Sequence, residues 1–470
     1  MTRPEPTAAV AAPATAVTGI PPHHTPFRAR FSWAMFDWAN QPFFTIITTF
    51  IFMPYFTSKM VGDPVQGQIA AADVQTYAGI IIAVLSPILG SIADAGGPRK
   101  PWVLAFQALT VIGCFMLWWA YPNRPDLLGF TMLALIIATI GAEFSIVFNN
   151  AQLPTLVPPE RMGRLSGLGW GLGYVGGLIA LFIVLLVSGL ASGGQPLFGL
   201  SKETYELERL TGPASALWLI VFVLPMFLFT PDIRSSGLGK LGAIRQGVGS
   251  LVATVRALVH YRNPLLYLIA YMIYNDGLAA IIAFGGVYAT GTFGWSTVSL
   301  GIFGIILTVF ATVGAFVGGR LDDRVGSKRT VLMSLVGVTI ATLGIVSVGR
   351  DSVLFVVSVA PPVPDGGLFA STPEQVFMAF AVLLGICMGP MQAASRTMIG
   401  RMAPPGMTAE FYGLFALSGR ATVFMAPAAI GWITSATHSQ RAGVIAILPF
   451  LVIGFILLSF VRERQAERHH

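Results

Sequence analysis

One charged, glycine-rich stretch occurs twice in this chain, each time between two long apolar runs. Gly90-Ser-Ile-Ala-Asp94-Ala-Gly-Gly97-Pro-Arg99-Lys100 is matched by Gly319-Arg-Leu-Asp-Asp323-Arg-Val-Gly326-Ser-Lys328-Arg329, with glycine, aspartate, glycine and a basic pair in the same order and spacing. Non-helical backbone cannot satisfy its polar groups in hydrocarbon. A turn of this composition therefore lies outside the bilayer core and joins two membrane helices. The copies stand half a chain apart, which predicts a duplicated membrane bundle. Duplicated bundles suit transport, because two similar halves can rock around a site between them.

Composition agrees. Of 470 residues, 54% are hydrophobic and 10% charged, against about 25% charged in a soluble domain. A span takes roughly 20 apolar residues. The apolar runs predict twelve, over 32–58, 76–96, 101–121, 127–150, 164–190, 214–231, 264–290, 297–318, 329–349, 375–400, 409–435 and 441–461. The expected fold class is an all-α membrane protein with twelve transmembrane helices in two pseudo-symmetric six-helix bundles. A second repeat supports the duplication. Leu156-Val-Pro158-Pro159-Glu-Arg-Met-Gly-Arg-Leu-Ser-Gly167 resembles Met402-Ala-Pro404-Pro405-Gly-Met-Thr-Ala-Glu-Phe-Tyr-Gly413, each joining the fourth span of its half to the fifth.

The expected division is a disordered tail over 1–30, a first bundle over 31–231, a linker over 232–262, a second bundle over 263–462 and a short tail over 463–470. The N-terminal tail is rich in Ala, Pro and Thr without an apolar core, unlike a signal peptide. In the linker, Arg245, Arg256 and Arg262 recur on a helical rhythm around Val248, Leu251 and Val255. That pattern suits an amphipathic helix on the membrane surface or a plain solvated connector.

A net charge of +7 raises the question of nucleic acid, and the distribution answers it. Of 28 Lys and Arg, Lys59, Arg124, Lys202, Arg209, Arg350 and Arg441 fall in the loops on one side, and Arg396 and Arg420 within spans. The other 20 lie in the tails and the opposite loops. This is the positive-inside bias, which predicts a multi-pass membrane protein with both termini cytoplasmic and no nucleic-acid partner. The two cysteines, Cys114 and Cys387, sit in apolar runs and read as small buried hydrophobes, with no metal site implied.

Further residues narrow the reading. They are Trp33-Ala-Met-Phe-Asp37-Trp38-Ala39-Asn40, Phe52-Met-Pro54-Tyr55-Phe56, Tyr274-Asn275-Asp276-Gly277, Gln392-Ala-Ala-Ser395-Arg396, Glu410-Phe-Tyr-Gly413 and Ser418-Gly419-Arg420. With the repeated loops, they make the chain resemble the major facilitator superfamily, and within it the autophagy-related vacuolar amino-acid effluxers and their bacterial relatives. The resemblance spans all twelve helices. It implies solute export driven by an ion gradient, with amino acids the best-known cargo. One element departs from the pattern. Many proton antiporters of the superfamily carry Gly-Pro-x-x-Gly-Gly in span 5, where this chain has Gly173-Tyr174-Val175-Gly176-Gly177 without proline.

Five ionisable residues fall within spans: Asp37, Glu143, Asp276, Arg396 and Arg420. Each costs roughly 2.5–3.5 kcal/mol at a lipid-facing helix centre, and the set more than about 10 kcal/mol if unpaired. They therefore face a wet cavity or one another. Three acids and two bases become neutral when one acid takes up a proton, and a desolvated carboxyl group does so more readily. The set thus suits a proton-coupled cycle, the alternative being a static salt-bridge network. Asp37 and Asp276 sit early in spans 1 and 7, beside the helix-weakening residues Asn40, Pro42, Asn275 and Gly277. Interrupted helices there would free backbone groups for a ligand, unless each is a hydrogen-bonded kink. Trp33, Trp38, Tyr271 and Tyr274 surround these positions as cavity aromatics able to cage a cation, or as packing. Arg396 and Arg420 suit bidentate capture of a carboxylate, the alternative being pairing of Arg420 with Glu143 or Asp276. Gln392 adds a neutral hydrogen-bonding group.

In the repeated loops, Asp94, Arg99, Lys100, Asp323, Lys328 and Arg329 suit a cytoplasmic gate, an aspartate at a helix end holding a neighbouring helix. The alternative is a role in topology alone. Gly171-Leu-Gly173-Tyr-Val-Gly176 matches a dinucleotide fingerprint in letters, but it lies in an apolar helix without the strand that motif needs, and there glycines serve helix contact. No cofactor, metal or enzymatic chemistry is expected. The partners are a small polar or zwitterionic solute, a coupling proton (sodium being the alternative) and the bilayer, with the chain acting as a monomer. Rival readings are a sodium-coupled symporter of a sugar-like solute and a receptor or lipid-handling protein on the same fold.

Overall fold

The computed structural model describes residues 25–157, 159–189, 195–232, 242, 261–362, 367–402 and 408–462. The tails, most of the linker with its expected surface helix, and the second Pro-Pro repeat lie outside the described residues.

The first half contains α1 (Phe27–Pro42, continued in π-helical form over Phe43–Phe50), α2 (Pro64–Gly96), α3 (Lys100–Met116), α4 (Leu128–Asn150), α5 (Pro159–Val187) and α6 (Glu206–Phe229). The second contains α7 (Arg262–Phe293), α8 (Thr297–Val325), α9 (Ser327–Ser347), α10 (Thr372–Met402), a broken pair α11a (Thr408–Ala421) and α11b (Met425–Thr437), and α12 (Gln440–Ile445, resuming over Ile447–Phe460). Eleven helices among the described residues are long and apolar enough to cross a membrane. The broken α11 pair fills the remaining place. The only strands among the described residues are a short hairpin, β1 (Ser352–Val353) with β2 (Val357–Ser358), between α9 and α10.

Two helices begin earlier than their apolar runs. α2 starts at Pro64, not near 76, because its polar first turns face protein. Gln68 is fully buried, with Nε2 donating to Thr434 Oγ1 at 2.7 Å and to the Gln440 carbonyl at 2.9 Å. α6 starts at Glu206, not near 214, because Arg209 is buried. The Arg209 guanidinium lies 3.5 Å from the Tyr121 ring centroid and donates to the Trp118 carbonyl at 2.8 Å. Glu206 and Glu208 in that first turn also suit the positive end of the helix dipole.

The expected interruption of span 7 is absent. α7 runs unbroken through Asn275 and Gly277. Gly277 instead admits α12, since a β-carbon there would stand 3.0 Å from Phe450 Cβ. In α1, Pro42 cannot donate to the Trp38 carbonyl. Trp218 Nε1 from α6 donates to that oxygen instead, at 3.1 Å; the chain turns π-helical directly after the proline, from Phe43, and bends at Ile51. Among the described spans, further breaks lie at Ala446 in α12 and, the longest, at 422–424 in α11.

Both ends of the described chain emerge on one side. Thr230 Oγ1 donates to the Ala29 carbonyl at 3.2 Å, and the Arg462 N–H to Asn263 Oδ1 at 2.8 Å. At the opposite, far end the two halves meet directly. Besides the Gln68 clasp, Thr297 Oγ1 donates to Glu208 Oε1 at 2.5 Å. Phe50 packs edge-on against Phe303. A small cavity of about 60 Å³, lined by Thr57, Ser58, Val287, Thr290 and Gln440 among others, lies in this seam.

Candidate functional site: charges between the two halves

The intramembrane charges meet across the two halves. Arg420 of α11a forms an ion pair with Glu143 of α4. Arg396 of α10 lies over the Trp170 ring of α5, 5.5 Å from its centroid. Tyr174, one turn further along α5, packs against Trp170 at 5.8 Å, and Asp37 of α1 packs on Gly169 beside it. If α4 corresponds to α10 and α5 to α11, the two contacts are pseudo-symmetry mates: α4 to α11, and α10 to α5.

Asp37 owes its place to a glycine. A β-carbon at Gly169 of α5 would come within collision distance of Asp37 Oδ2. Gly173 and Gly176 continue the same contact against Asp37 and Trp38, within an uninterrupted helix. Two glycines of the dinucleotide fingerprint, Gly173 and Gly176, therefore serve helix packing, while Gly171 faces open space. Trp33 is buried and its Nε1 donates to the Asn149 carbonyl at 2.8 Å. Asn40 is 2% exposed, and both its amide atoms lack a partner. Trp38 is half-buried and stacks on Trp218 at 5.7 Å.

Asp276 does not pair with an arginine. Its Oδ2 accepts the Ala426 N–H at 3.1 Å, at the start of α11b, and its Oδ1 has no partner. Tyr271 stacks on Phe415 at 4.0 Å. Ser395 Oγ donates to the Met391 carbonyl at 2.6 Å, so the Tyr274 hydroxyl, 2.6 Å from that oxygen, is the donor to it. Gln392 and Asn275 are half-buried.

Two of the loop residues, Lys100 and Lys328, bond to the last helix of their own half. Lys100 Nζ donates to the Phe227 carbonyl at 2.8 Å, near the C-terminus of α6. Lys328 Nζ donates to the Ser459 carbonyl at 2.7 Å, near the C-terminus of α12. Each repeat thus places a cation on the negative end of the last helix in its half. Asp232 accepts the N–H groups of Arg99 and Lys100 at 2.8 and 3.1 Å. Arg401 Nη1 reaches Asp322 at 3.3 Å and Ser327 Oγ at 2.8 Å. Arg329 is exposed, and the side chains of Asp94 and Asp323 lie outside the described set. Sequence reasoning missed Trp170, Tyr174, Asp232, Asp322 and Gln68. Tyr174 had a signal: it stands as far beyond Pro158-Pro159 as Arg420 stands beyond Pro404-Pro405.

Residues 74–470 match the sequence profile of the family described as "Vacuole effluxer Atg22 like". The chain belongs to that family. It is 27% identical over 448 residues to the uncharacterized MFS-type transporter YxiO of Bacillus subtilis, covering 92% of this chain and 94% of that protein. It is 24% identical over 318 residues to autophagy-related protein 22-1 of Neosartorya fischeri, covering 65% of this chain and 49% of the fungal protein. The chain thus matches nearly the whole bacterial relative and about half the length of the fungal one. Among solved structures it is similar to the nucleoside transporter NupG, with a TM-score of 0.61, 14% identity and coverage of 92% and 98%. A D-xylose-proton symporter gives a TM-score of 0.61 at 12% identity, with coverage of 93% and 98%. These structures establish the fold: this member of the Atg22-like family is a multi-pass membrane transporter of major facilitator type.

Proposed function

We propose that the chain moves a small zwitterionic solute, amino acids first, by alternating access coupled to a proton. One observation carries this reading: charged residues within the spans lie between the two halves, Glu143 paired with Arg420, and Arg396 over Trp170, the neighbour in sequence of the Gly169 that packs on Asp37. A zwitterion entering between the halves can exchange partners with both sets. Its carboxylate takes an arginine fork, and its ammonium takes an acid or the Trp170 face. Release of an arginine from its acid leaves a desolvated carboxylate, which a proton then neutralises. The rocking bodies in this reading are 31–231 and 263–462, with termini and linker on the cytoplasmic side, acting as a monomer. The amide atoms of Asn40, buried without partners, are further candidates to bind the solute.

The test is counterflow against pH-driven uptake in proteoliposomes. Asp37→Asn and Asp276→Asn should keep solute exchange, which moves no net proton, and lose proton-driven accumulation. Full pH-driven uptake in both variants and in Glu143→Gln would overturn proton coupling.

A further inference from the structure

Helix α11b begins in the protein interior, and its first turn leaves N–H groups that need acceptors. Those of the residues from Met425 to Ala428 are assigned as follows. Met425 donates to the Thr422 carbonyl at 2.8 Å, Ala428 to the Phe424 carbonyl at 3.0 Å, and residue 427 is a proline with nothing to donate. The remaining N–H, that of Ala426, has no acceptor on its own strand of chain, because the N-cap residue is Phe424. Asp276 Oδ2 supplies it from α7, at 3.1 Å. An acidic oxygen accepting from the second residue of a helix is ordinary N-capping, performed here by another helix. Asp276 is 2% exposed, so water does not substitute for it.

The other end of α11b is held differently. Thr434 accepts the Gln68 amide across the seam between the halves. Between base and tip, α11b lies flush on α2. A β-carbon at Gly79 would stand 2.9 Å from Phe424 Cβ, and one at Gly431 would stand 2.9 Å from Ala72 Cβ. A half-helix with a break at its base, a borrowed cap and one polar clasp at its tip can swing without unfolding its neighbours.

We propose that α11b is a gate leaf for the far end, hinged at 422–424, with Asp276 as the positioning residue of its base and Gln68 as its catch. The leaf presupposes alternating access but is independent of which ion is coupled.

Hydrogen exchange and spin-label distances on the purified full chain test this. In Asp276→Ala the Ala426 N–H loses its acceptor, and amides over 425–434 should exchange roughly 2- to 30-fold faster, the range for losing an N-cap, with α7 and α12 unchanged. Asp276→Asn keeps an acceptor oxygen and should stay near wild type. Proton coupling, by contrast, is lost in both variants, so the two proposals fail separately. Gln68→Ala should lengthen the distance between labels at Arg124→Cys and Thr437→Cys while leaving exchange at the base of α11b unchanged. Equal exchange in the alanine and asparagine variants, or faster exchange spread over all helices, would overturn the capping role. Should Asp276→Ala not fold, the catch still decides: an unchanged label distance in Gln68→Ala refutes the leaf.

Discussion

Glu143→Leu leaves the Arg420 guanidinium between the halves without its carboxylate. Removing one partner of a buried ion pair costs about 3–5 kcal/mol, whereas replacing both by apolar side chains is often neutral or stabilising. The Glu143 and Arg420 side chains keep 17% and 24% exposure. Residual water screens them, and the lower figure of about 3 kcal/mol applies. That is roughly a 150-fold change in an equilibrium constant. At roughly 2–4 °C per kcal/mol for a body the size of one half, Tm falls by roughly 6–12 °C. Arg420→Met should fall by a similar amount, because it strands Glu143. The double variant Glu143→Leu/Arg420→Met should melt above either single variant. The assay is thermal unfolding of the detergent-purified protein at the four corners of the cycle. Additive losses, with the double variant the least stable, would show that the two charges do not hold the halves together.

Two further outcomes follow from the geometry. Gly169→Ala puts a methyl group onto Asp37 Oδ2 and should lower stability by about 1–3 kcal/mol. Asp37→Ala added to it should recover part of that loss, and a wild-type Tm for Gly169→Ala alone would contradict the contact. For topology, a cysteine at Arg124, exposed at the far end, should react with an impermeant maleimide on intact cells. One at Phe27, 67% exposed at the other end, should not. The reverse pattern would invert the orientation.

The fold was legible because duplication and apolar length are written locally, in the repeated loops and the long runs. The start of α2 was not, because Gln68 is polar yet buried, its amide nitrogen bonded to Thr434, a residue remote in sequence. The break in α11 was also missed. Ala421-Thr422-Val423-Phe424 carries no glycine or proline, and the usable signal was Pro427, in the first turn of the helix that follows. Asn275 and Gly277 carried the usual breaker signal, but Gly277 answers to packing against α12. At the site, residue type alone showed that the five charges face a wet cavity or one another. It left Arg420 open between Glu143 and Asp276, and that choice depends on which helices face each other across the halves. In the repeated loops Lys100 and Lys328 reach helix ends within their own halves, contacts that charge spacing alone does not specify.

Proton movement by the unmodified chain bears most directly on the proposed transport cycle. Proteoliposomes would carry a pH-sensitive dye inside, with sodium absent and the membrane potential clamped. A mixture of neutral amino acids added outside should change the internal pH in proportion to the solute taken up, and empty liposomes should not respond. Solute uptake with no pH change, appearing only when a sodium gradient is imposed, would contradict proton coupling.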